Sequence, residues 1–322
     1  MEQANRLPPE TLSVGLALGG GGVRGLAIVG VLRVLEEAGI PIHSIAGTSI
    51  GGILGSLWAV GLRSAAIEAE VRRLTALSRM IRLVDWVPSL RGLMPGHKFY
   101  TYLDNLLGHH VHFEELKIPF AVVATDLNHW REATLTTGLV IDAVRASMSV
   151  PGVFAPVEIG DMRLVDGGFV NNVPVDVARG LGPDIVVAVD VDRQPTSADG
   201  GTPVLPIDSP LPNFTPLLVA DLWLVTHIMA DAVKQAKFQA SPPDVRLIPA
   251  IPSNVGILSG LGHIDAIIAS GAAAATAALP QLEALMAATP AELAAARHGG
   301  QQALSPVKIA PFMAQDDAHG TA

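Results

Sequence analysis

The chain has 322 residues, with 21 Lys and Arg against 30 Asp and Glu for a net charge of −9, and only 16% of its residues are charged, where an ordinary soluble domain carries about 25%. A hydrophobic fraction of 49% excludes a disordered chain, the acidic balance argues against a nucleic-acid binder, and the absence of cysteine excludes a disulfide scaffold and thiol catalysis and argues against zinc. So little charge fits either a membrane span or a large buried interior.

Residues 1–12 lack the apolar run of a secretory signal and read as a tail, which points to a cytoplasmic protein. Residues 13–18 (SVGLAL) form a short apolar run bounded by glycines, the pattern of a buried strand. A glycine turn at 19–22 follows, then a helix over 25–38 closed by Gly39, a second strand over 42–46 and a second helix over 50–60. The stretch 38–62 has no Asp, Glu, Lys or Arg and is long enough to cross a bilayer. However, Pro41, His43, Ser44, Thr48 and Ser49 break it, and Gly39, Gly47, Gly51 and Gly52 weaken a continuous helix, so strand, turn and helix divide it better. A β-α-β-α opening implies a parallel sheet covered by helices.

Residues 64–83 carry a helical stripe of Ile67, Val71, Leu74 and Ile81, with Arg63, Arg72, Arg73, Arg79 and Arg82 around it. Two readings stand: a helix packed on the core with a solvated basic face, or an interfacial surface for anionic headgroups. Further strands are expected at 119–124, 162–165, 184–191 and 245–248, and helices at 97–107, 140–148, 217–238 and 264–286. His109, His110 and His112 lack ligand companions at metal spacing and read as loop histidines. Asp126, Asp190 and Asp192 fall at strand ends. Residues 193–216 hold six prolines and two glycines and read as a long loop or flap. Residues 289–322 read as a mobile tail behind a single domain over 13–288.

Three motifs carry chemistry. Gly20-Gly21-Gly22-Val23-Arg24-Gly25 fits G-x-G-x-x-G between a strand and a helix. A dinucleotide site would need an acid at the end of the second strand, where the chain reads Ala46-Gly47-Thr48-Ser49 instead. The loop reads better as backbone N–H donors for an oxyanion. Gly47-Thr48-Ser49-Ile50-Gly51 fits G-x-S-x-G, in which a sharp strand-to-helix turn lifts Ser49 into the open. The base for that serine has two models. One is a triad of Asp166 with His227 or His263; the other is a dyad in which Asp166, from Asp166-Gly167-Gly168, acts directly.

In this order the motifs resemble those of the patatin-like phospholipases, especially bacterial single-domain members. The block Arg145 to Pro156 (RASMSVPGVFAP), together with Asn171-Asn172-Val173-Pro174, Gly92-Leu93-Met94-Pro95-Gly96 and Ala124-Thr125-Asp126-Leu127, extends the similarity over about residues 13–285. The resemblance implies a three-layer α/β/α fold with a mainly parallel central sheet. It also implies a Ser–Asp dyad without histidine, with Ser49 as nucleophile, Asp166 as base and the N–H groups around Gly21 and Gly22 as the oxyanion hole. Arg24 would support catalysis or hold the loop against a carboxylate. The expected substrate is an acyl ester of a phospholipid or other lipid, with peripheral contact at a membrane surface and no metal, cofactor or nucleic acid. A carboxylesterase or thioesterase with the same dyad, or a low-turnover regulatory protein on the same fold, are the competing functions. No motif encodes an oligomeric state.

Overall fold

The computed structural model describes residues 12–75, 95–192, 217–257, 259–289 and 292–293. The expected 193–216 flap, the tail 1–11, positions 76–83 of the basic helix, Gly92 to Met94 and nearly all of 289–322 lie outside the described residues. The chain divides into one unit, Met1–Ala288, and a second, Thr289–Ala322.

An eight-stranded sheet organises the first unit. The strands are β1 (Val14–Leu18), β2 (Ile42–Thr48), β3 (Phe120–Asp126), β4 (Arg131–Leu135), β5 (Val157–Ile159), β6 (Met162–Asp166), β7 (Ile185–Val189) and β8 (Val245–Leu247). The order is β5-β6-β3-β2-β1-β7-β8, with β4 also paired to β3. The β1–β2, β1–β7, β2–β3 and β7–β8 pairs are parallel. The β3–β4, β3–β6 and β5–β6 pairs are antiparallel, so the sheet is mostly parallel with an antiparallel margin. β1 and β7 are buried at every position, which is why they read as unbroken apolar runs.

Helices cover both faces. α1 (Ala27–Glu37), α2 (Ile50–Ala59), α5 (Val140–Ser147) and α8 (Ile264–Met286) lie on one side, where Gly55 approaches Leu18, Ile45 and Phe120, and Ala146 packs with Ala124 and Leu164. On the other side, α6 (Val175–Gly180) and α7 (Leu217–Ala240) pack Val175, Ala178 and Phe238 against Ala17, Ala46, Ala121 and Ala188. The charge-free stretch thus resolves into β2, the Ser49 turn and α2, rather than one span. Among the described residues one helix, Leu261–Met286, is long and apolar enough to cross a membrane by length and composition, and it crosses α1 at Gly30 and Gly271.

The described part of the basic helix is α3 (Ser64–Thr75). Ile67 and Val71 are buried, and α3 packs on α1. Arg72 pairs with Glu68 and Asp265, Arg73 with Glu70, and Arg63 with Glu36. Its described cations are thus each paired with a nearby carboxylate. α4 (His97–Leu107) packs on α5.

The α1–α8 crossing gives a stability test. A β-carbon at Gly271 would collide with the Ala27 carbonyl, whereas Gly180 has nothing within 4 Å. Gly271→Ala is expected to cost about 1–3 kcal/mol in a urea melt, and Gly180→Ala to be neutral or slightly stabilising.

Candidate active site

The site arises from two strands that end against each other. Thr48 of β2 pairs with Val123 of β3, and Asp166 of β6 pairs with Ala124, the next β3 residue. Since β4 occupies the opposite edge of β3 from Val122 to Asp126, β2 and β6 must share one edge, approaching from opposite directions. The residue after Thr48 therefore arrives beside Asp166.

That residue is Ser49, with φ 52° and ψ −121°. The strained turn requires close packing on both flanks. A β-carbon at Gly47 would lie 2.5 Å from the Gly51 carbonyl, and one at Gly51 would strike the Leu18 carbonyl. Small residues two before and two after Ser49 are thus steric requirements. Ile50 begins α2 and fills the space opposite Gly25, where a β-carbon would overlap its side chain. Thr48 is buried and donates through Oγ1 to the Asn171 carbonyl, 2.8 Å away. Ser49 itself is half-buried, so its hydroxyl is reachable.

The Ser49 side chain lies within reach of the Asp166 carboxylate and favours its charged form. Asp166 accepts from Gly168 N–H at 2.8 Å, and its carbonyl accepts from Thr125 Oγ1 at 2.7 Å. Burial pushes the carboxyl from 3.8 up to about 6, against the lowering effects of the Gly168 hydrogen bond and of Ser49. Gly167 is required because a β-carbon there would overlap the Val123 carbonyl. No histidine is among the groups acting on Asp166. His263 instead meets Asn254 on the surface, and His227 lies on α7.

The glycine loop passes over Ser49. A β-carbon at Gly20 would sit 3.3 Å from Ser49 Cβ and 2.5 Å from Asn172 Oδ1. Gly20 N–H donates to the Asn172 carbonyl at 3.1 Å, and Val23 N–H to the Ile257 carbonyl at 2.8 Å. The N–H groups of Gly21 and Gly22 have no acceptor among the described residues. Gly22 takes φ 56° with the Ile257 carbonyl close by. Arg24 is buried and gives Nε to the Val191 carbonyl (2.9 Å) and a terminal nitrogen to the Val255 carbonyl (3.2 Å). It holds the loop through backbone carbonyls of two segments.

Several supports carried no single-residue signal in the sequence. Lys234 of α7 is 1% exposed and reaches Asp192 (2.6 Å), Asp231 (3.0 Å) and Asp190 (3.5 Å). Burial alone would lower its pKa, but these carboxylates raise it above the usual lysine value. Asp192 in turn accepts from Asn172 Nδ2 at 2.8 Å, beside the glycine loop. Lys237 bridges Asp176 and Glu132. The third strand-end acid, Asp126, binds His129 Nδ1 at 2.6 Å. His109 and His110 flank Asp104 with largely exposed rings, and among the described residues no group of three or more His, Asp and Glu is placed to hold a metal.

The patatin-like phospholipase family model matches residues 16–179, half of the chain. The neuropathy target esterase of Drosophila melanogaster is 34% identical over 187 residues, 56% of this chain and 13% of that protein. A lysophospholipase of Aspergillus fumigatus is 36% identical over 199 residues, 61% of this chain and 13% of that protein. The chain spans only a small fraction of the length of these relatives. Human GIVD cytosolic phospholipase A2, solved with methyl gamma-linolenyl fluorophosphonate, superposes with a TM-score of 0.45 at 11% identity, covering 91% of this chain and 61% of that one. With its glycine loop, serine turn and buried aspartate inside or beside a family match of this extent, the chain belongs to the patatin-like phospholipase family.

Proposed function

We propose that this chain is a serine acyl hydrolase for lipid esters, of phospholipase A or lysophospholipase type. One observation carries the proposal: a hydroxyl on a strained strand-to-helix turn, within reach of a buried carboxylate of raised pKa. The names of the two relatives, an esterase and a lysophospholipase, support ester chemistry.

Ser49 Oγ attacks the ester carbonyl carbon while Asp166 takes its proton. The carbonyl oxygen becomes an oxyanion, met by the unengaged N–H groups of Gly21 and Gly22. Collapse of the tetrahedral intermediate breaks the carbon–oxygen bond to the leaving alcohol, which takes the proton back from Asp166. Water then attacks the acyl-Ser49 ester with Asp166 again as base, releasing the fatty acid and restoring the serine. A carboxylate raised to about 6 is a stronger base than an ordinary aspartate yet stays mostly ionised at neutral pH.

The mouth of the site faces a lipid surface in this reading. Lys234 lies level with the end of β7, and Phe238 packs at mid-sheet, so the earlier turns of α7 rise past the carboxyl edge where Ser49 sits. These turns expose Leu222, Val225, Ile228, Met229 and Val233, and α7 packs on the Gly167–Phe169 turn that follows Asp166. Five exposed apolar side chains on the helix that packs against this turn give an acyl chain or a bilayer a place to rest.

Against a panel of p-nitrophenyl esters, phospholipids and lysophospholipids, Ser49→Ala and Asp166→Asn are each expected to lose about a thousand-fold or more in kcat, while His227→Ala and His263→Ala keep activity. Activity surviving in Asp166→Asn and lost in a histidine variant would establish a triad instead. Lipid turnover no better than that of short soluble esters would favour a carboxylesterase.

The pH dependence follows from Asp166. Its base form is lost as pH falls through about 6, so kcat/KM is expected to drop along a single ionisation there. Stability runs the other way. The native carboxyl holds its proton up to about pH 6 and the unfolded one only to about 3.8, so native stability falls as pH rises between them. At pH 8, Asp166→Asn escapes this cost and is expected to be more stable than wild type by up to about 2–3 kcal/mol in urea melts; no gain at pH 8 relative to pH 4 contradicts it.

For the lipid surface, the double change Ile228→Glu and Met229→Glu is expected to abolish co-flotation with phospholipid vesicles while hydrolysis of a short soluble ester is retained. Unchanged flotation would place the contact elsewhere.

A further inference from the structure

A serine at φ 52° and ψ −121° occupies a sparsely populated backbone region, so its surroundings must impose the geometry. At this turn the Ser49 N–H donates to a side chain, Ser147 Oγ, at 2.8 Å. The same hydroxyl donates to the Val123 carbonyl at 2.6 Å. Ser147 has no solvent exposure and is the last residue of α5. Val123 is the β3 residue opposite Thr48, where β2 ends, and its neighbour Ala124 is opposite Asp166, where β6 ends. One buried hydroxyl therefore pins the elbow to the strand that carries both halves of the site.

Two residues later the same segment holds the other partner. The Ser149 carbonyl accepts from Asp166 N–H at 3.0 Å. Ser149 is in turn fixed by Arg145, which donates to Ser149 Oγ at 2.5 Å and to the Pro95 carbonyl at 2.8 Å, with its guanidinium 5.0 Å from the Phe154 ring. Residues 147–149 thus grip the backbone nitrogens of Ser49 and Asp166 from one side.

We propose that Ser147 is a positioning residue for the Ser49–Asp166 pair, its hydroxyl holding the strained elbow where Ser49 Oγ reaches the carboxylate. The role needs a small group that accepts and donates at once, which a hydroxyl does and a methyl does not. It rests on the dyad reading above, but its geometry can be measured without substrate. If Ser147 lets go, Ser49 N–H loses its partner, the turn relaxes and the Ser49 hydroxyl leaves Asp166. Ser49 is one of the two groups that lower the Asp166 pKa, so its departure lets burial raise the carboxyl further.

The test is a carboxyl titration by carbon-13 NMR with labelled aspartate, the Asp166 signal being the one missing from Asp166→Asn. Ser49→Ala marks the position without the serine hydroxyl. Ser147→Ala is expected to move the Asp166 midpoint upward towards that of Ser49→Ala. Ser147→Cys, which keeps the side chain's shape while sulfur bonds only weakly, is expected to move it the same way. Ser56→Ala deletes another buried hydroxyl, bonded only within its own helix turn at 2.7 Å to the Ile53 carbonyl, and is expected to leave the midpoint at the wild-type value. In turnover, Ser147→Ala is expected to lose about tenfold or more in kcat with KM little changed, and its acidic limb is expected to move up with the titration. An Asp166 midpoint unchanged in both Ser147 variants overturns the proposal. Failure of the hydrolase reading would appear elsewhere, as turnover that survives Ser49→Ala.

Discussion

Two strands running toward each other along one edge of β3 create the geometry on which the site depends. β2 stops at Thr48 opposite Val123, and β6 stops at Asp166 opposite Ala124. A mostly parallel sheet ordinarily presents its functional residues in loops beyond the strand ends. Here an antiparallel strand delivers the acid in register, and the parallel strand delivers the serine one step away. The alignment holds because the backbone at the junction is crowded: Gly47 against Gly51, Gly51 against Leu18 and Gly167 against Val123 are approaches that any larger residue would block. The elbow's strain is therefore balanced by packing on both flanks, not relieved by it.

Electrostatics divides the molecule into two regimes. Gly168 and Ser49 favour the charged form of Asp166, but burial wins, so its pKa rises. A short distance away, the buried Lys234 is surrounded by Asp190, Asp192 and Asp231, and its pKa rises because attraction outweighs desolvation. In the proposed reaction the first arrangement supplies a base; the second ties α7 to the end of β7 and, through Asp192 and Asn172, steadies the glycine loop. The scarcity of charge in the chain has the same origin. The strand interiors exclude it, and several of the acids at the strand ends are matched to a cation, as Asp190 is to Lys234 and Arg246, Asp192 to Lys234 and Asp126 to Arg131.

Much of this was legible in the residues. β1 and β7 are continuous apolar runs, β3 is apolar up to Ala124, and the helices expected at 97–107 and 264–286 are found there. β4 and β5 carry no such pattern: Arg131–Leu135 and Val157–Ile159 are short, partly exposed and alternate in polarity, and pairing with β3 and β6 decides their state. The serine and aspartate were visible through their glycines. Ser147 and Lys234 were not, because a serine at a helix end and a lysine on an apolar helix ordinarily face solvent, and only the tertiary packing turns them inward. α7's exposed apolar face was equally hidden, since Leu222, Val225 and Ile228 belong to a run that reads as core.

The central claim is that a serine and an aspartate, without histidine, form the reactive pair. Its most direct measurement is the rate of covalent labelling by a fluorophosphonate as a function of pH, with the adduct located by peptide mass spectrometry. The account requires a single adduct on Ser49, forming at a rate that rises through one ionisation near pH 6 and that collapses in Asp166→Asn while persisting in His227→Ala and His263→Ala. An adduct on another residue, or a labelling rate indifferent to Asp166, would contradict it.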